Sequence, residues 1–161
     1  MTRSSRRQRR PTTDLPRLLR NAANLANLST PLGLVVALAG RSRLRLRDHL
    51  IVADRVRLPI TNAGAMTIGS VVLVPRRSLE EVEASTPTLM EHEDGHAWQY
   101  AYCLGLPFLP LYAMAVAWSM VRTGDRASAN HFEVQADLLK GGYRSNPPMP
   151  LRLGLRRLIS R

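Results

Sequence analysis

Leu89-Met90-Glu91-His92-Glu93-Asp94-Gly95-His96-Ala97-Trp98-Gln99 holds two histidines four positions apart, with a glutamate directly after the first. Thr86-Pro87 ahead of it is a helix-start signature, and Gly105 and Pro107 close the segment, so a helix is predicted over 87–103. Residues four apart on an α-helix lie on one face, one turn apart. Two imidazoles placed this way can converge on one metal ion at about 2 Å from each ring nitrogen. Glu93 sits one position round the helix, where it can take a proton from water at the metal without binding the ion. The bland alternative is a solvated helix face that happens to spell the motif. With only four histidines in the chain, such a coincidence is uncommon.

A catalytic zinc site uses three protein ligands and keeps a position open, so a third ligand is required. Asn130-His131-Phe132-Glu133-Val134-Gln135-Ala136-Asp137 falls in a helix predicted over 126–140, capped by Asp125 and ended by Gly141-Gly142. Glu133 is the best candidate. His131 competes with it but lies two positions away and so points to another face. Asp137, one turn beyond Glu133, is expected to hydrogen-bond the outer nitrogen of one ligand histidine and orient its ring. Gln99 shares the ligand face and either reaches substrate or satisfies a neighbour. Gly95 weakens the helix, which suggests close approach of the sheet there. Cys103 is about 10 Å along the axis from His96, too far to join the same ion, and reads as core. Asp94 and Glu91 read as solvated or supporting, and His49 has no partner pattern.

The surrounding segments predict an α+β fold. Leu18, Leu19, Ala22, Leu25, Ala26 and Leu28 have helical spacing over 17–28, and an apolar run follows Thr30-Pro31. From Arg43 the pattern alternates, and Met66–Val74 is rich in β-branched residues, so three or four short strands are expected between 43 and 74. Ser78-Leu79-Glu80-Glu81 is a capping box. Leu109–Val121 reads as a buried helix. The expected architecture is a small, mostly antiparallel sheet packed on the active-site helix and on a second helix that carries the third ligand. The division is a disordered basic arm (1–16), one metal-binding domain (17–143), and a Pro-rich linker with a basic amphipathic tail (144–161).

HExxH followed by ExxxD on a later helix resembles the gluzincin class of zinc metallopeptidases. More narrowly, the chain is similar to small actinobacterial HExxH proteins of minimal length. That likeness runs over roughly 24–143: Asn27-Leu28-Ser29-Thr30-Pro31-Leu32-Gly33, Thr67-Ile68-Gly69, the HExxH-Ala-Trp-Gln block, Leu106-Pro107-Phe108-Leu109-Pro110 and Arg122-Thr123-Gly124-Asp125. The resemblance implies a zincin-like sheet beside the active-site helix, with a sheet edge able to pair an extended peptide. It implies His92, His96 and Glu133 as zinc ligands, Glu93 as general base and Asp137 as the partner of a ligand. The activity implied is peptide or protein hydrolysis. The chain departs from larger gluzincins in one respect, because no separate C-terminal domain supplies a His or Tyr to the oxyanion.

Charge narrows the alternatives. The chain has 161 residues and a formal net charge of +11. Residues 1–20 hold seven Arg and one Asp, residues 143–161 hold five Arg and no acid, and the body between them is neutral. A neutral body without a zinc finger, helix-turn-helix or RNA-binding motif argues against specific nucleic-acid recognition. The single cysteine excludes a disulfide scaffold and a zinc site built on three or four thiolates. The ligand set itself does not exclude iron, cobalt or manganese. Pro107 and Pro110 leave Leu111–Val121 too short to span a bilayer. Leu151, Leu155, Leu158 and Ile159 share a helical face among arginines, a pattern suited to an anionic membrane surface. A cytoplasmic protein, peripheral on the inner face of the membrane, is the expectation. The competing function is a metal-binding or membrane-surface interaction protein without turnover.

Overall fold

Leu-Arg alternation makes Arg43–Arg47 an edge strand, β1, exposed along most of its length. It pairs antiparallel with β2 (Leu50–Val56). The apolar run after Ala65 does not form one strand. Gly69, with φ of +63°, and Ser70 turn the chain, so that β3 (Met66–Ile68) folds back on β4 (Val71–Pro75). β4 returns beside β2 in parallel, which gives a four-stranded mixed sheet of order β1-β2-β4-β3. Two of its three pairings are antiparallel. The computed structural model describes residues 14–59 and 64–159, and the side chains of 158 and 159 are outside that description.

β4 is buried throughout because both faces of the sheet are covered. Val72 and Val74 join Leu50 and Val52 against Leu79, Val82, Leu89 and Ala97. Val71 and Leu73 join Ala53 and Val56 against Ala37, with Leu34 and Val36 packed around them. The first face is covered by α3 (Leu79–Glu83), which starts at the Ser78/Glu81 capping box, and by α4 (Leu89–Tyr102). The second is covered by α2 (Ser29–Ala39). The result is a three-layer α+β arrangement in which α4 lies along β3, the strand at the end of the sheet.

α1 (Leu15–Ala26) takes in two residues of the expected arm; residues 1–13 lie outside the described part. Its packing inverts the usual rule. Arg20 and Asn24 are buried, while Leu15, Leu18, Leu19 and Leu25 are all more than half exposed. Arg20 forms an ion pair with Asp94 and lies over the Trp98 ring at 5.3 Å. Asn24 donates to the Ala97 carbonyl at 2.8 Å, and Asn21 donates to the His49 carbonyl at 2.6 Å. Asp94 is therefore an anchor for α1 rather than a solvated acid.

The rest of the chain wraps the site. α5 (Phe108–Thr123) ends at Gly124 in the left-handed conformation. It is not the buried helix expected: only Phe108, Ser119 and Thr123 are buried, and Met114 and Trp118 are more than half exposed. The helix expected over 126–140 is reduced to one short turn, α6 (His131–Gln135). Asp125 accepts from the backbone of Ala127 and Ser128 at 2.7 Å and so forms a turn, leaving Asn130 as the helix cap. α7 (Leu151–Ile159) forms the tail and packs on α5. No single described helix is long and apolar enough to cross a membrane; α1 and α2 reach that apolarity only as a pair, bent by 75°.

Candidate metal centre

His92 and His96 project from one side of α4, and Glu133 meets them from α6, with all three side chains buried. Their ligating atoms lie within 4.8 Å of one another. His92 Nε2 is 3.1 Å from His96 Nε2 and 3.1 Å from Glu133 Oε2, and His96 Nε2 is 3.6 Å from Glu133 Oε1. His131, the competing ligand, is exposed, and its ring packs edge-on to Phe132.

The outer ring nitrogens determine what these inner atoms are. His92 Nδ1 lies 3.1 Å from the Ala136 carbonyl and 3.0 Å from the Asp137 carbonyl. Carbonyls only accept, so Nδ1 carries the hydrogen and Nε2 of the neutral ring presents its lone pair. His96 Nδ1 lies 2.8 Å from Gln99 Oε1. Gln99 is oriented by its own amide, which donates to the Phe132 carbonyl at 2.8 Å and to Gln135 Oε1 at 3.0 Å. Both imidazoles are thus turned with an acceptor nitrogen inward, facing a carboxylate. Glu133 Oε2 is buried and satisfied by no hydrogen bond. Three acceptors converging in a buried space need a cation among them. A proton serves in part. Burial alone would lower the His96 pKa, but the adjacent Glu133 and Glu93 carboxylates override it and raise it to about 9. His92 is raised in the same direction against the same burial penalty, and Glu133 is driven well below the carboxylate range by the two imidazoles despite its burial. The donor set, two imidazole nitrogens and a carboxylate oxygen, fits a divalent metal ion.

The expected role of the Asp137 side chain is corrected. Asp137 has φ of +72°, which ends the helix before its side chain can line up with Glu133. Its carboxylate accepts from the backbone of Leu139 and Lys140, and its carbonyl is what reaches His92. Gly95 is likewise corrected: a Cβ there would lie 3.2 Å from Ala136, so the close neighbour is the turn after α6, not the sheet. Gly141 crosses the His92 ring so closely that a Cβ would sit 2.7 Å from Cε1.

Glu93 is buried beside the centre, and Thr67 of β3 donates to its Oε2 at 2.7 Å. A cavity of about 1020 Å³ opens over Glu93, His92, His96 and Glu133. Its walls include Ala65–Ile68 on one side, α5 on another, and Tyr143. Three residues of the site were missed by the sequence reading: Thr67 as the holder of Glu93, Tyr112, whose hydroxyl donates to Glu133 Oε1, and Tyr143, whose ring centre is 5.8 Å from that of His92. Burial, with the nearby Glu133 and Glu93 charges, pushes the pKa of both tyrosines up, so both hydroxyls keep their protons. Only the Phe108–Tyr112 spacing, one turn apart on a helix, hinted that Tyr112 shares a face with core aromatics. Searches with this chain matched no protein-family model, no curated protein and no solved structure.

Proposed function

We propose that the chain is a zinc-dependent hydrolase of the gluzincin type, acting on an extended peptide. The observation that carries the reading is the convergence of two inward-turned imidazole acceptors and the unsatisfied Glu133 oxygen beneath an open cavity. Zinc held by His92, His96 and Glu133 would supply Lewis acidity toward a carbonyl and toward water. Glu93 receives the proton released when water attacks and passes it to the leaving amine. Thr67 fixes the Glu93 carboxylate for that transfer. Tyr143, at the cavity wall, is the hydroxyl assigned to the developing oxyanion, whereas the Tyr112 hydroxyl is engaged by Glu133. β3 favours an extended peptide. Its outer edge, which no described strand pairs, borders the cavity and would offer backbone pairing to a strand laid beside Glu93.

The test is metal content of the purified protein, with His96→Ala as control, followed by turnover of a peptide library. Glu93→Gln should keep the metal and lower turnover by about 10²–10⁴-fold. A metal-loaded parent as inactive as Glu93→Gln would instead support the non-catalytic metal-binding protein, and an absence of bound metal would remove both readings.

A further inference from the structure

α1 turns its leucines outward by construction. Arg20 and Asn24 hold one face against α4 through Asp94 and the Ala97 carbonyl, and rotating the helix to bury its leucines would break those bonds. Leu15, Leu18, Leu19 and Leu25 therefore form a fixed stripe, each between 54% and 62% exposed. On α2, past the left-handed Leu28, Val35 and Leu38 are exposed as well. Between 3 and 10, just ahead of the stripe, the sequence holds five arginines and no acid.

We propose that the leucine face of α1 docks on an anionic lipid surface, with its leucines in the headgroup–acyl boundary and the arginines of 3–10 supplying the attraction. Stable surface binding takes two signals, and an apolar stripe next to a polybasic segment provides both. Charge also decides between lipid and a second copy of the chain. A second copy carries the same net charge of +11 and repels the first, while an anionic bilayer attracts and neutralises it. This inference is independent of the proposed hydrolysis.

The experiment is flotation of the full chain with neutral phosphatidylcholine vesicles and with vesicles containing about 30% phosphatidylserine, at low and high salt. The parent should bind the anionic vesicles at least roughly tenfold better than the neutral ones, and binding should weaken with salt. Leu18→Glu/Leu19→Glu should lower that binding by about tenfold or more, with helix content and metal content unchanged. If that variant does not fold, Leu15→Gln/Leu25→Gln makes the same test more gently. Replacing Arg3, Arg6, Arg7, Arg9 and Arg10 by Gln should weaken binding and flatten its salt dependence. The proposal is overturned if the parent ignores anionic vesicles or does not prefer them. It is equally overturned if the leucine variants bind like the parent, or if the parent is a dimer that these variants dissociate.

Discussion

Two regions of this protein hide polar side chains from water to opposite ends. On α1, Arg20 faces Asp94, and the Asn24 side-chain nitrogen faces both the Ser70 hydroxyl and the Ala97 carbonyl, so the charges are paired and donors meet acceptors, with Asn24 Oδ1 alone left over. At the α4–α6 junction, acceptors meet acceptors: two ring nitrogens 3.1 Å apart and a carboxylate oxygen without a hydrogen bond. A buried polar cluster whose charges are paired holds the fold, while one that gathers acceptors without positive charge describes the ligand it is built to take.

That contrast can be broken from either side. Arg20→Ala strikes the charge-paired cluster. It leaves Asp94 without its buried partner and should lower folding stability by about 3 kcal/mol, read by urea denaturation, while metal bound per folded molecule stays unchanged. A loss of metal with little loss of stability would show that the two clusters are not separate. Gln99→Ala strikes the acceptor-rich one. Without its amide oxygen the His96 ring loses its orientation, and metal affinity should fall by about 10–100-fold with a small effect on folding. Equal affinity in a competition titration would mean that α4 alone sets the ring.

The smallest expected effect is a dependence on pH. In the metal-free protein the folded His96 pKa of about 9 lies above the ordinary value of 6.5. The stability it contributes is therefore complete below about pH 6.5 and lost as pH rises through about 9. The metal-free protein should melt a few degrees lower at about pH 9.5 than at about pH 6.5. Over the same interval zinc should bind more tightly, because the competing proton is leaving. His96→Ala should remove this part of the slope, and a slope unchanged in that variant would assign it to other groups.

The sequence made the site more legible than its surroundings. The spacing of His92 and His96 is a geometric statement once a helix is granted, and Glu133 follows from the need for a third ligand. α1 was legible only in part. Its leucine spacing gives an apolar face, but a period cannot say which face turns inward; that depends on Asp94 and the Ala97 carbonyl, more than seventy positions away. The α6 region failed for a local reason. Helical spacing over 126–140 hid a left-handed residue at Asp137, and the work expected of its carboxylate fell to the backbone. Tyr112 and Tyr143 carry no motif, because their neighbours at the site are brought together only by the fold.

The two carbonyls that grip His92 belong to the turn that ends α6, and α6 itself carries Glu133. One short span of chain therefore furnishes a coordinating oxygen and also steers an imidazole rooted on another helix. Loosening that span would release both at once, so the pocket for the ion should assemble and come apart as a single latch rather than ligand by ligand.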